Sequence, residues 1–183
     1  MNEKRKQDLL MLVLGGLMAA FVAVSTMMIH IPTPTKGYIN LGDCFVNISA
    51  WLLGPVYGAG AAGIGSAMAD LLLGYPLYAF ATLVIKALMA LVSFYVFRLI
   101  AKRTRSLFAR ILASVSAELL MVVGYFVFEW MLYRSAAVAF TGIPSNLAQG
   151  IGGVAISVAL YEALLGRLPA VRSLEGKKAA NRK

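Results

Sequence analysis

Residues 37–78 read GYINLGDCFVNISAWLLGPVYGAGAAGIGSAMADLLLGYPLY, and this stretch decides the fold. It is almost wholly apolar, yet it carries Asp43, Asn47 and Asp70. Gly54-Pro55 breaks it and Gly74-Tyr75-Pro76 closes it. Proline suits the first turn of a helix and not its interior, so a helix over 43–53, with Asp43 as N-cap, gives way to a second over 55–73. A carboxylate in hydrocarbon is costly and marks a functional site by default. The hairpin therefore reads as two membrane helices that carry part of a binding pocket at the end away from the Gly-Pro turn.

The rest of the chain supports a membrane reading. Of its 183 residues, 60% are hydrophobic and only 14% charged, with a mean hydropathy of +0.79. A soluble domain is nearer half apolar and a quarter charged. The net charge of +9 could suggest nucleic acid, but the basic residues flank apolar runs, as topology signals do. One cysteine, Cys44, and one histidine, His30, leave no disulfide and no zinc set, and no cofactor is expected. The chain holds no Walker loop, GxSxG or HExxH motif.

Outward from the hairpin, apolar runs predict helices over 9–29, 79–100, 107–133 and 143–165, with loops over 30–41 and 134–142. The run 9–29 is too long for a signal-peptide core and reads as the first span. If Gly54-Pro55 is a turn, fourteen of the seventeen Lys and Arg residues share one side of the membrane. If it is a kink, the basic connector after residue 100 crosses over. The positive-inside rule selects the turn. The expected fold is an all-α, six-transmembrane-helix bundle with both termini cytoplasmic. A basic N-terminus over 1–8 and a polar, basic, frayed tail over 168–183 flank a transmembrane binding domain over 9–167.

With that topology, Asp43, Asn47, Asp70, Lys86, Glu129, Asn146 and Gln149 all fall in the outer half of the bundle, and Glu118 lies near the midplane. Each ionisable group costs roughly 2.5–3.5 kcal/mol at a lipid-facing helix centre, so they face inward, paired or hydrated. A cluster open to one side suits a ligand cavity; the competing reading is a set of structural ion pairs, such as Lys86 with Asp70 or Glu129. Tyr38, Tyr75, Tyr78, Tyr125, Trp130 and Tyr133 lie at the same level. Trp130 and Tyr133 suit an interfacial belt, while Tyr75 and Tyr78, above the pocket, suit stacking on a flat heterocycle. Trp51 reads as an anchor near the other end, Cys44 as a packing residue and His30 as interfacial. On the first helix Gly15, Ala19 and Ala23 recur four apart and allow close helix approach, either within the bundle or to a partner.

The loop into YINLGD (38–43), the segment LLGPVYGAGAAGIGSAMADLL (52–72) and GYPLYAF (74–80) closely resemble the substrate-binding S components of energy-coupling-factor (ECF) vitamin transporters. The likeness is nearest to the branch for riboflavin, pyridoxine-type and hydroxymethylpyrimidine-type substrates. The resemblance implies a high-affinity outward pocket capped by the loops 30–42 and 74–78, in the cytoplasmic membrane of a bacterial-type cell. It also implies a transmembrane coupling subunit and two cytoplasmic ATPase subunits as partners, with docking through Gly15, Ala19 and Ala23, and a bound subunit that topples in the membrane to release substrate inside. The tyrosines and polar groups named above then become substrate-binding residues. Two other readings stay open. One is an autonomous proton-coupled carrier with Asp70, Lys86 and Glu118 as a relay. The other is a membrane enzyme using Glu118 or Glu129 as acid/base.

Overall fold

The structure, a computed structural model, describes residues 2–169 and residue 171. Among these, seven α-helices follow in chain order: α1 Glu3–Met28, α2 Gly42–Leu53, α3 Pro55–Leu73, α4 Pro76–Ile100, α5 Ser106–Tyr133, α6 Ala136–Phe140 and α7 Ile143–Ala163. Between α1 and α2 lie two short strands, β1 His30–Pro32 and β2 Tyr38–Asn40. Five of the helical segments are long and apolar enough to cross a membrane. The exception in the bundle is α2, whose 12 residues reach about 18 Å. Large apolar side chains such as Leu12, Val13, Leu17, Leu72, Phe80, Leu99, Val123 and Ile151 are exposed around the periphery. A bundle that turns such residues outward is one whose solvent is lipid.

The Gly-Pro step is a turn. Gly54 adopts φ 84, ψ −170 and serves both as C-cap of α2 and N-cap of α3, with Pro55 at the first position. Its amide donates to Ala50 O, which seals the end of α2. That backbone region is essentially restricted to glycine. From the turn, α3 packs against α1, α2 and α4. A Cβ at Gly63 would stand 2.7 Å from the Leu83 carbonyl, so the bare backbone lets α3 and α4 close on each other.

Four sequence expectations change. The segment 30–41 is a β-hairpin rather than a plain loop, paired His30 to Asn40, Ile31 to Ile39 and Pro32 to Tyr38. The segment 134–142 holds the one-turn helix α6, capped by the Ser135 side chain. Asp43 is not the N-cap of α2: the helix opens at Gly42 with Leu41 in the cap position, and Asp43 sits one residue inside it. Trp51 is buried rather than an interfacial anchor. Its Nε1–H donates to Ser93 Oγ at 3.0 Å, and its ring meets Tyr161 edge-on. The guanidinium of Arg110 lies over Tyr161 and bonds Glu162 at 2.7 Å. This aromatic and ionic cluster closes the bundle at the end opposite the hairpin. The basic tail expected over 168–183 lies, apart from residues 168, 169 and 171, outside the described residues.

Candidate functional site

At the hairpin end, the up-and-down order of the helices gathers the last turns of α1, α3 and α5 and the first turns of α2, α4 and α7. The hairpin folds over them. Its turn is tied by Thr33 N–H to Gly37 O at 2.9 Å and Lys36 N–H to Thr33 O at 3.1 Å, with Lys36 in a left-handed conformation. Thr35, at the tip, is buried. Its carbonyl accepts the hydroxyls of both Tyr78 and Tyr133, so two helices grip the lid by one backbone oxygen.

Beneath the hairpin lies a cavity with about 450 Å³ of empty space, counting the part open to solvent. The enclosed part is about 30 Å³, room for a water, so a larger ligand enters only if the hairpin or the wall side chains shift. Its wall includes Tyr38, Asp70, Tyr78, Lys86, Glu129, Asn146 and Gln149 from the sequence reading. The sequence reading did not name Thr26, Thr33, Gly37, Asn40, Ser66 and Thr82 as site residues, though they also line it, and put Tyr125, another lining residue, at the level of the pocket without giving it a role. Ser66 could have been found, because it precedes Asp70 by four residues and shares its helix face.

Three expected site residues lie elsewhere. Asp43 and Asn47 are wholly buried behind the wall. Asp43 forms an ion pair with Lys86 and accepts Gln149 Nε2–H at 2.6 Å. The ion pair that Lys86 makes is therefore with Asp43, not with Asp70 or Glu129 as the competing reading had it. Asn47 Nδ2–H donates to Glu118 Oε1 at 3.0 Å and to Asp43 O at 3.2 Å. Gly153 packs against Glu118 and Asp43, so the backbone of α7 closes the floor. Tyr75 does not line the cavity either; it packs on Tyr38 at 4.8 Å between ring centroids and supports it from outside.

Gln149 joins floor to lid. Its Oε1 accepts Asn40 N–H at 2.9 Å, while its Nε2 holds Asp43. Asn40 Oδ1 in turn accepts Gly42 N–H at 2.9 Å, at the start of α2. The hairpin is thus wired to the buried ion pair. A second tie runs from Tyr38 OH to Asp70 Oδ1. Burial, with the adjacent Asp70 charge next in weight, pushes the Tyr38 phenol far above its ordinary pKa. It therefore acts as a neutral donor.

The wall carries unsatisfied polar atoms. Thr26 Oγ1, Ser66 Oγ, Asp70 Oδ2 and Glu129 Oε2 are buried with no hydrogen-bond partner among the described residues, and all four residues line this cavity. Buried polar atoms are almost always satisfied, so four orphans on one wall need a reason. A ligand supplying hydroxyl or N–H groups is one. Among the described residues no cluster of His, Cys, Asp and Glu is arranged to hold a metal.

Of the small-residue face of α1, Gly15 and Ala19 line a surface groove between α1 and α3, with Gly16, Tyr57 and Gly60. Ala23 instead is buried and faces inward.

The sequence model of the family described as "ECF-type riboflavin transporter, S component" matches residues 6–165. A protein of Pyrococcus woesei, described as an uncharacterized protein in the gap 3′ region, is 34% identical over 148 residues, covering 80% of this chain and 96% of that protein. The fold is similar to a solved structure reported as the S component of a bacterial ECF transporter. The TM-score is 0.70 at 20% identity, covering 90% of this chain and 99% of that one.

Proposed function

The chain belongs to the S-component family of ECF-type riboflavin transporters, and on that premise we propose that it is the substrate-binding subunit of an ATP-driven importer for a water-soluble vitamin or precursor. The substrate is a riboflavin-, pyridoxine- or hydroxymethylpyrimidine-like heterocycle. The observation that carries this reading is the convergence of four unsatisfied polar atoms, two hydroxyl and two carboxylate oxygens, on one hairpin-covered cavity.

In this reading the chain crosses the membrane six times, α2 making the shortest crossing with the hairpin lying above it. Both termini are cytoplasmic and the hairpin end faces outward. Tyr38, Tyr78 and Tyr125 present aromatic surface to the heterocycle. Asp70, Glu129, Ser66 and Thr26 accept its donors, while Asn146 and Gln149 orient it. Binding replaces orphaned acceptors with satisfied ones in a low-dielectric site, where each bond is worth more than in water. The Asn40–Gln149 and Tyr38–Asp70 ties let the hairpin report on occupancy, because both reach residues that line the cavity. ATP hydrolysis resides in two cytoplasmic partner subunits. A transmembrane coupling subunit docks at the α1–α3 groove, where Gly15 and Ala19 admit a close helix.

The test is native mass spectrometry of the purified protein followed by titration with riboflavin, pyridoxine and hydroxymethylpyrimidine. One-to-one binding of one of them at sub-micromolar Kd is expected. A folded sample that binds none of the three refutes the reading.

A further inference from the structure

Glu118 faces two ways. Its Oε1 accepts the Asn47 amide at 3.0 Å, on the inner side of α5. Its Oε2 has no hydrogen-bond partner among the described residues, although Glu118 is only 5% exposed. The same residue lines a groove on the outer surface of the bundle, between α5 and α7. Leu119 and Val122 of α5 and Leu147, Ile151 and Val154 of α7 supply its apolar wall, and it holds about 350 Å³ of free space. That is the size of a small-molecule site. Leu119 is 56% and Ile151 72% exposed, so the groove opens on the apolar periphery. It shares no lining residue with the hairpin-covered cavity.

Glycines of α7 bring the groove to the carboxyl. A Cβ at Gly150, which lines the groove, would stand 3.1 Å from Glu118 Cβ and 3.7 Å from Oε2. A Cβ at the buried Gly153 would instead meet Oε1 at 2.6 Å. Oε1 thus belongs to the interior network, and Oε2 lies on the Gly150 side, where the groove is. Asp43 lies beside this carboxyl, but its own two oxygens already take Lys86 and Gln149. A carboxyl oxygen without a partner in an apolar setting is costly and points to a functional position. Water answers the need poorly. It requires several polar partners, and apart from Glu118 the side chains of this wall are apolar.

Three features define an occupant. Its body is apolar, because the groove opens to lipid near the middle of α5. It is uncharged, because a charge at that depth is costly. It carries one polar group that completes Oε2. A hydroxyl does so in either protonation state of Glu118, donating to a carboxylate or accepting from a carboxylic acid. We propose that the α5–α7 groove is a second binding site, for a membrane-dissolved neutral alcohol: an apolar chain whose terminal hydroxyl bonds Glu118 Oε2. The site is separate from the hairpin-covered cavity, and the inference does not rest on the vitamin reading.

The experiment places the full chain in phosphatidylcholine nanodiscs and photolabels it with a diazirine-bearing decanol, mapping the adducts by mass spectrometry. Adducts are expected on Glu118, Leu119, Leu147 and Ile151. Unlabelled decanol should suppress them about 10-fold better than decane, the ratio expected of one hydrogen bond made in an apolar site. E118Q, whose amide also donates and accepts, should keep this preference, and E118L should lose it. Ala155 lines the groove and is exposed, so A155F should fill the groove and abolish the labelling without disturbing the core. Thermal unfolding checks that each variant is folded. Adducts spread evenly over lipid-facing residues such as Leu12, Leu99 and Val123, or equal competition by decane and decanol, overturn the proposal. A folded E118L that retains the preference, or a folded E118Q that loses it, does the same. Decylamine that competes better than decanol assigns the groove to a cation and overturns the neutral class.

Discussion

Replacing Lys86 by methionine isolates the buried ion pair. The side chains of Lys86 and Asp43 are 2% and 1% exposed. The Asp43 carboxylate also accepts from the amide of Gln149, at 2.6 Å, and the Glu118 carboxyl lies beside it. Methionine nearly matches the aliphatic length of lysine, so the change removes charge rather than packing. It leaves Asp43 as an uncompensated anion in the protein interior, a change that costs about 3–5 kcal/mol. For a chain of this size each kcal/mol lowers the midpoint by about 2–4 °C, which gives a fall of about 6–20 °C. The assay is thermal unfolding of the purified protein at a fixed scan rate, since membrane proteins often unfold irreversibly. The double variant D43N/K86M removes both charges of the pair, and the amide oxygen introduced at position 43 can still accept from Gln149. It should recover at least about half of the loss. A K86M midpoint within about 2 °C of wild type would refute the reasoning, as would additive losses in the double variant.

Two further outcomes follow from the turn and the lid. Gly54→Ala should destabilise by about 1–3 kcal/mol, because φ 84, ψ −170 is closed to alanine. Gly74→Ala, at φ 83, ψ 26, falls in the milder left-handed region and should cost less; equal midpoints for the two variants would contradict this ordering. Tyr38→Phe should speed hydrogen exchange across residues 30–40 by removing the tie to Asp70. The same variant should change the alkaline response. The raised phenol pKa means that above about pH 10 the unfolded chain loses this proton while the folded one keeps it, so wild-type stability falls as pH rises. The fall in midpoint between about pH 9.5 and 11 should therefore be shallower for Y38F, and identical slopes would remove Tyr38 from the account.

Much of this molecule is legible in one dimension because lipid imposes simple demands. Apolar runs long enough to cross must be helices. The ends of α3, at residues 55 and 73, come straight from proline and glycine chemistry. Ionisable residues inside such runs had to converge, since each is too costly to leave facing hydrocarbon. Asp70, Lys86, Glu129 and Gln149 could therefore be nominated as cavity residues without any structure.

What the sequence could not decide is rotation and partnership. When every face of a helix is apolar, periodicity does not say which face looks inward. Asp43 and Asn47 thus seemed to belong to the cavity, whereas tertiary packing set them behind it as supports for Lys86 and Glu118. Lys86 had three carboxylates within reach along the chain; only the packing of α2 against α4 chose Asp43. The hairpin was hidden for a related reason. Strands of three residues leave too little alternation to read. They are held in place by Tyr78, Tyr133 and Gln149, which lie 43, 98 and 109 residues along the chain from the hairpin groups they bond. Composition determined the solvent, the helices and the sites of charge. The choice of which charge meets which, and which oxygen atoms are left waiting for a donor, belongs to long-range packing, because distance in space is the one thing a helix run does not carry.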